Sequence, residues 1–228
     1  MSTASDPFVV RPQLSDDVAR YVRRRIFNGT YPAGEYLRLD QVAAEVGISV
    51  TPVREALLNL RAEGLLEQHP RRGFMVLAVT ARDLADVALV QTFIGGELAA
   101  RAAAGVTPDQ LRELTSIQDQ LEKAYEHADL DVTVRLNHEF HRLINVIADS
   151  PKLTQVMSGI TRYAPESVFP TLDGWPEQSI RDHRAVIAAL ERGDAEAARA
   201  AMAEHFTVGV APLTEHLTER GVVGEQPR

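Results

Sequence analysis

The sequence contains no cysteine. This absence excludes disulfide bonds, thiolate metal ligands and cysteine nucleophiles, and it fits the reducing environment of the cytoplasm. Long apolar runs are missing too: no stretch approaches the ~20 residues that a membrane-spanning helix needs, and the first residues lack the segments of a secretory signal. With 45% apolar residues in 228, the chain can build one large core or two smaller ones. We therefore expect a cytoplasmic protein without a membrane partner.

Lysine is also missing from the first 78 residues, where 10 arginines oppose 9 acidic residues. The rest of the chain has 14 basic and 23 acidic residues, so the net charge of −8 arises there. An N-terminal segment whose cations are all arginine can present a basic face to phosphate groups. The uneven charge is compatible with a nucleic-acid partner but does not by itself indicate one.

The N-terminal third predicts three helices followed by a β-hairpin. Apolar residues at three- and four-residue steps indicate a helix over 14–27, and a shorter helix over 39–46 ends at Gly47. A third helix begins after Ser49, a good N-cap residue. Two strand-like runs then flank Pro70-Arg71-Arg72-Gly73. This order of elements is typical of a winged helix-turn-helix domain.

The third helix would be the recognition helix, which enters the major groove of DNA by its N-terminal end. Ser49 and Thr51 place hydroxyl groups at that end, and Arg54 adds a guanidinium. Hydroxyl groups bond phosphate oxygens, and arginine can bond guanine through two hydrogen bonds. The alternative is that such arginines are only solvated surface residues, which we favour for Arg23, Arg24 and Arg25 on the first helix.

Beyond residue 80 the pattern changes to helices alone. The predicted helices span 83–104, 107–127, 132–148, 153–163, 178–192 and 195–218. Short connections between them predict an antiparallel bundle. The irregular stretch 165–176 contains Phe169 and Trp175 and either covers a pocket or is only a long loop. Gly95-Gly96 inside a helix costs about 1 kcal/mol per residue relative to alanine, which indicates close helix packing or a pocket wall.

The predicted fold is therefore mainly α, with four parts. They are a flexible arm over 1–12, a winged helix-turn-helix DNA-binding domain over 13–79, an all-helical effector- and metal-binding domain over 80–220, and a tail over 221–228.

Histidines on three predicted helices of the second domain are candidate metal ligands. Asn137 and His141 are four residues apart, so both project from one helix face, while His183 and His205 lie on two later helices. One oxygen and three imidazoles can hold Zn²⁺ or Ni²⁺ with open positions, to which a carboxylate ligand can bind. Spacing alone leaves the alternative open that these histidines are simply packed or solvated.

The N-terminal part resembles the GntR family of regulators. The resemblance rests on Ile26, Gly29, Pro32-Ala33-Gly34, the run Ser49-Val50-Thr51-Pro52-Val53-Arg54-Glu55-Ala56-Leu57, and Glu63-Gly64-Leu65. It implies a homodimeric repressor or activator that reads a short pseudo-palindromic operator in double-stranded DNA. It also implies DNA contacts from Ser49, Thr51 and Arg54 and from the wing residues His69, Arg71, Arg72 and Gly73. Val50 departs from the family pattern, in which arginine is usual.

The C-terminal part is similar to the FCD domain of the FadR-type subfamily. The motifs are Leu136-Asn137-His138-Glu139-Phe140-His141, Asp182-His183-Arg184 with the helix that follows, and Ala198, Met202 and His205. The similarity implies a divalent metal on Asn137, His141, His183 and His205, and a small organic acid as effector. Asn137 replaces the more usual aspartate and is a weaker ligand. Arg135, Arg142 and Arg162 are candidates to pair with an anionic effector.

We therefore expect a DNA-binding transcription regulator, a repressor controlled by a small carboxylate, and not an enzyme. One alternative keeps the regulator but makes the metal purely structural. A second is a helical metalloenzyme in which the metal activates water. The sequence has no His-Glu-x-x-His motif to support that second alternative.

Overall fold

The computed structural model describes residues 14–163 and 167–224. The predicted arm over 1–12 and the last four residues of the predicted tail lie outside the described residues. The chain divides into two compact units, and the division along the sequence falls between Val79 and Thr80, with Gly224 assigned to the first unit. Each unit is described by itself below.

The first unit contains three helices and a small sheet. The helices are α1 (Leu14–Phe27), α2 (Leu39–Val46) and α3 (Val50–Ala62). The strands are β1 (Tyr36–Leu37), β2 (Leu66–His69) and β3 (Gly73–Val76), and all pair antiparallel in the order β1-β3-β2. The predicted winged helix-turn-helix fold is confirmed. Strand β1 was not predicted, because two residues are too few to show an alternating pattern.

One apolar stripe on α3 holds the first unit together. Val53, Ala56, Leu57 and Leu60 recur at three- and four-residue steps and are fully buried, as is Val22 of α1. Their burial excludes water from the α1–α3 contact, which is the main source of stability for such a helix pair. The opposite face of α3 is therefore the one that stays in solvent.

Two ion pairs fix α1 against its neighbours. The guanidinium of Arg23 lies 2.6 Å from the Glu63 carboxylate just after α3, and both side chains are mostly buried. Arg25 pairs with Glu45 of α2 at 2.9 Å. Glu45 also accepts hydrogen bonds from Tyr31 and Tyr21. Both bonds lower the pKa of Glu45, and the bond from Tyr31 has the larger effect. The interpretation of Arg23 and Arg25 as solvated residues is therefore wrong, because Arg23 binds a carboxylate just after α3 and Arg25 binds one on α2.

The second unit, in the part of the chain that the structure describes, has seven α-helices. They are α4 (Ala81–Gly105), α5 (Pro108–Glu126), α6 (Leu130–Ile147), α7 (Pro151–Ile160), α8 (Trp175–Glu191), α9 (Ala195–Val208) and α10 (Val210–Glu219). Short 3-10 turns occupy Thr161–Tyr163 and Phe169–Thr171. None of the described helices is long and apolar enough to cross a bilayer.

The last predicted helix, 195–218, is two helices, and proline explains the difference. Helix α9 ends at Val208 and α10 begins at Val210. Pro212 has no N–H to donate to the carbonyl four residues earlier, that of Val208, and its ring would clash with that carbonyl. The break brings Gly209 against Trp175, whose ring would lie 2.7 Å from an added Cβ.

The core of the second unit lies between α4, α6, α8 and α9. Its fully buried members include Leu98, Phe140, Ile144, Val186 and Ala198. Gly96 allows α4 to approach α9 closely, since an added Cβ would lie 3.1 Å from the Arg199 carbonyl oxygen. In the predicted tail, Val222 is buried. Gly224, which belongs to the first unit, donates its amide N–H to the Val79 carbonyl of the same unit.

The wing depends on glycine at one position. Gly73 has φ +104°, and a Cβ there would lie 2.4 Å from the Leu37 carbonyl oxygen. Gly34 has a similar φ of +87°, but an added Cβ would contact nothing within 4 Å. The two glycines therefore separate the effect of backbone strain from that of a steric clash.

We expect Gly73→Ala to destabilise the protein more than Gly34→Ala. Both substitutions force an L-residue into a left-handed conformation, which costs about 1–2 kcal/mol. Only Gly73→Ala also pushes β3 away from β1, and we expect it to cost at least about 1 kcal/mol more. Urea unfolding of the full-length variants measures both free energies. Equal losses would show that the close approach to Leu37 is not a constraint.

Candidate functional site

The leading end of α3 forms one exposed surface. Ser49 precedes the helix in an extended conformation and makes no side-chain capping bond, so its hydroxyl is available. Ser49, Val50, Thr51 and Arg54 are all exposed, whereas Val53 on the opposite side is fully buried. The N-terminus of a helix carries a partial positive charge that attracts phosphate groups. This surface can bind the backbone and the base edges of a duplex.

The wing adds two arginines, one of which lies over the ring of Tyr36. Arg71 and Arg72 are exposed at the turn between β2 and β3. The Arg72 guanidinium lies over the ring of Tyr36, 5.8 Å from its centre, and the His69 ring meets the same ring edge-on at 5.4 Å. Of the predicted wing residues, Arg71 and Arg72 thus present charge to solvent. His69 and Gly73 support the hairpin, and their contacts with DNA stay predictions.

Three of the predicted metal ligands come together in the second unit. His141 of α6, His183 of α8 and His205 of α9 have ligand nitrogens that all lie within 4.8 Å of one another. The ring centres of His183 and His205 are 4.8 Å apart, and each is 5.2 Å from that of His141. Asn137, one turn before His141 on α6, lines the same cavity as His141 and His205.

The hydrogen bonds of His183 leave a lone pair unused. Gln118 of α5 donates its amide N–H to Glu122 at 3.0 Å, so its oxygen faces His183. That oxygen is 2.8 Å from Nδ1 of His183 and can only accept, so Nδ1 carries the proton and Nε2 does not. Nε2 is buried and has no hydrogen-bond partner in the described structure. A metal ion would satisfy this nitrogen, so the residues present fit a metal.

The protonation state of the cluster favours the same chemistry. Burial lowers the pKa of His141 and of His183 well below the usual value, and the neighbouring His205 lowers both further. Both imidazoles are therefore neutral at pH 7. The neutral form is the one that binds metal ions.

Like Gln118 beside His183, a residue that was not among the predicted site residues orients His205. Nδ1 of His205 lies 3.3 Å from the carboxylate of Asp182, which is itself buried and accepts a 2.7 Å hydrogen bond from Gln178. Such carboxylate–histidine pairs fix the ring that binds a metal. Two signals in the sequence point to these supports. Asp182 directly precedes His183, and Gln118 interrupts the buried stripe of Leu114 and Leu121 on α5.

A cavity of about 210 Å³ opens beside the cluster, and His141 and His205 line it. Its wall includes Phe169 and Trp175. The sequence allowed two alternatives for the stretch that contains them, a pocket cover or only a long loop, and both residues do line the pocket. Gly95, which was predicted to lie in close helix packing or a pocket wall, also lines the cavity. A Cβ added there would lie 2.4 Å from the Phe206 ring. The volume far exceeds the about 10–15 Å³ that holds one water molecule, so the cavity can take a small organic ligand.

The structure separates the three candidate effector arginines. Arg142 lines the cavity and is exposed at its rim. Arg135 pairs with Glu139 on the surface at 2.9 Å. Neither Arg135 nor Arg162 belongs to the described residues that line the cavity. Of the three, only Arg142 is therefore placed to meet a ligand in this cavity.

Two family models match the chain. Residues 14–76 match the model for bacterial regulatory proteins of the gntR family, and residues 86–208 match the FCD domain. The first range contains α3 and the wing. The second contains the three histidines and most of the cavity wall.

The chain is similar to curated transcription regulators over most of the length of both proteins. The transcriptional repressor RspR of Escherichia coli is 27% identical over 85% of this chain and 86% of its own. A probable D-xylose utilization operon repressor of Paenarthrobacter nicotinovorans is 28% identical over 93% of this chain and 94% of its own.

A solved structure has the same fold. The Escherichia coli protein McbR/YncC matches with a TM-score of 0.73 and 24% identity, over 90% of this chain and 99% of its own. The family matches cover both units and the relatives are transcription regulators, not enzymes. The chain therefore belongs to the GntR family of bacterial regulatory proteins, as a transcription regulator whose DNA-binding domain is followed by an FCD domain.

Proposed function

We propose that this regulator is a repressor that binds operator DNA as a homodimer and changes its DNA affinity when a small organic acid binds to a metal in the FCD domain. The observation that carries the proposal is that three imidazoles, with ligand nitrogens within 4.8 Å of one another, meet beside a ligand-sized cavity that His141 and His205 line. The names of two relatives, both called repressors, support the direction of regulation.

In the proposed complex α3 enters the major groove by its leading end. Ser49 and Thr51 bond phosphate oxygens, and Arg54 bonds a guanine edge. Arg71 and Arg72 follow the DNA backbone or enter the minor groove, where the negative potential is concentrated. Because Val50 offers no hydrogen bond, the half-site differs from those read by relatives with arginine there.

In the proposed metal site His141, His183, His205 and Asn137 hold Zn²⁺ or Ni²⁺. Three imidazoles and one neutral oxygen leave open positions, and a metal so bound attracts a carboxylate. Gln118 and Asp182 support this role, because each occupies the second nitrogen of one imidazole. Arg142 at the rim adds a positive charge for an anion that enters.

The proposed dimer uses an apolar stripe on α4. Leu89 and Phe93, one turn apart, are 64% and 81% exposed, and Val90 beside them is 38% exposed. Side chains of this size are rarely left in water as a contiguous group unless a partner covers them. A second copy of the chain is the partner that a pseudo-palindromic operator requires, since its two-fold symmetry matches that of a homodimer.

We expect Arg54→Ala to weaken operator binding about 10- to 100-fold, the range for loss of one base-specific arginine contact. Arg61→Ala is the matched control: Arg61 is also exposed on α3 but lies in the last turn and bonds Gln68 at 2.9 Å. Fluorescence anisotropy on an operator selected from random duplexes measures both affinities. Equal losses for the two variants would contradict insertion of the leading end.

We expect Asn137→Asp to tighten Zn²⁺ binding at least tenfold, because a charged carboxylate oxygen replaces a neutral amide oxygen. Asn145→Asp, which adds the same charge two turns further along the cavity wall, should leave the affinity within about threefold.

His183→Ala should abolish binding of Zn²⁺. Competition with a fluorescent chelator, on protein purified without a histidine tag, gives the constants. If His183→Ala removes the metal while a carboxylate still changes operator affinity, the metal is purely structural.

We expect Phe93→Asp to convert the dimer to monomers at micromolar concentration, because a buried unpaired charge strongly opposes association. Leu130→Asp on α6, where leucine is 47% exposed, should leave the dimer intact. Sedimentation velocity distinguishes the species. A dimer that survives Phe93→Asp would mean that another surface associates.

A further inference from the structure

We infer that the effector of this regulator is a monocarboxylic acid with an extended apolar body, rather than a sugar acid or a dicarboxylate. This inference rests on the proposed function, because it takes the acid to bind at the histidine cluster. It concerns the part of the cavity that extends away from the histidines.

The cavity runs along one face of α4. Gly95, Gln91, Ala88 and Leu84 all line it and recur at three- and four-residue steps. The eleven helical steps from Leu84 to Gly95 span about 16 Å at 1.5 Å per residue. The ligand that fits is therefore elongated.

The two ends of this face have different chemistry. At the Gly95 end, the ring of Phe206 packs against the glycine and stacks on the ring of His141, 5.5 Å between centres. This end is therefore the metal end. Toward the other end, α4 and α10 pack together and contribute the apolar lining residues Leu84, Val87, Ala88, Val210 and Leu213, while the amide of Gln91 lies nearer the histidines.

Charge is nearly absent from the cavity wall. Among the described lining residues there is no aspartate, glutamate or lysine, and the single arginine, Arg142, is exposed at the rim. A second carboxylate at the α4–α10 end would lose its hydration without gaining a cation. A dicarboxylate therefore fits this cavity poorly.

Three of the hydroxyl groups in the wall already donate to backbone carbonyls. Ser158 donates to the Thr154 carbonyl at 2.9 Å and Thr161 to the Ser158 carbonyl at 3.2 Å. Thr154 donates to the Asn145 carbonyl at 3.3 Å. These three side chains can still accept hydrogen bonds, but their donors are engaged. A polyol would therefore find these three donors engaged, and each of its own hydroxyl groups left without a partner on burial would cost about 1–3 kcal/mol.

Three acids with six carbons test the inference: hexanoate, gluconate and adipate. Each is titrated into Zn²⁺-loaded full-length protein by isothermal calorimetry, with acetate as the head group alone. Each methylene buried raises affinity about fourfold, so hexanoate should bind at least 50-fold more tightly than acetate. Gluconate and adipate should bind no more than about threefold more tightly than acetate, because their extra polar groups offset the added contact.

A substitution in the cavity wall tests where the apolar part of the bound acid lies. Val87→Asn places an amide at the α4–α10 end, at a half-buried position that tolerates it. It should weaken hexanoate at least tenfold and leave acetate within twofold. Val156→Asn, at an exposed position of α7 outside the described lining, should change neither.

The outcomes separate the inference from the proposed function. If gluconate or adipate binds more tightly than hexanoate, the inference is wrong and the metal-dependent acid sensor stands. If hexanoate binds tightly but Val87→Asn has no effect, the apolar body lies elsewhere and the inference is also wrong. If none of the four acids binds to metal-loaded protein, acid binding at the metal fails, and the inference fails with it.

Discussion

The second unit depends on one constraint: three imidazoles, with ring centres 4.8–5.2 Å apart, are held together in a core that offers them few hydrogen bonds. A buried nitrogen without a partner costs about 1–3 kcal/mol, and Nε2 of His183 is such a nitrogen. The protein nevertheless holds the ring rigidly, between the amide of Gln118 and the stacked ring of Phe140, whose centre is 4.0 Å away. An apolar side chain would fill this position at no such cost, so the arrangement favours a ligand-binding role for the cluster.

Helix α4 connects the features on which the proposed regulation depends. One face carries Gly95, against which Phe206 packs while its ring stacks on that of His141. The other carries the exposed Leu89 and Phe93 of the proposed dimer surface. A ligand can shift a dimer between two arrangements only by binding one of them more tightly. A helix that contacts the ligand on one side and a second copy on the other provides that difference directly.

The sequence predicted the elements that periodicity controls, and failed where the outcome depends on which side chains face each other. The buried stripe of α3 was predictable because it repeats every three to four residues. The orientation of Arg135 was not, since it depends on how α6 is rotated in the bundle: Asn137 and His141 face the cavity, and Arg135 pairs with Glu139 on the surface. The break before α10 was predictable from Pro212.

The neutral ligand set has a consequence for the proposed sensor. With asparagine in place of aspartate at 137, no ligand of a divalent ion carries a charge, and the carboxylate of Asp182 acts only from behind His205. Such an ion is held less tightly by the protein but attracts an anion more strongly. By thermodynamic linkage, an acid that binds to the metal must then tighten the metal to the same degree. Metal and acid would bind cooperatively, and the cluster would respond to the pair rather than to either one alone.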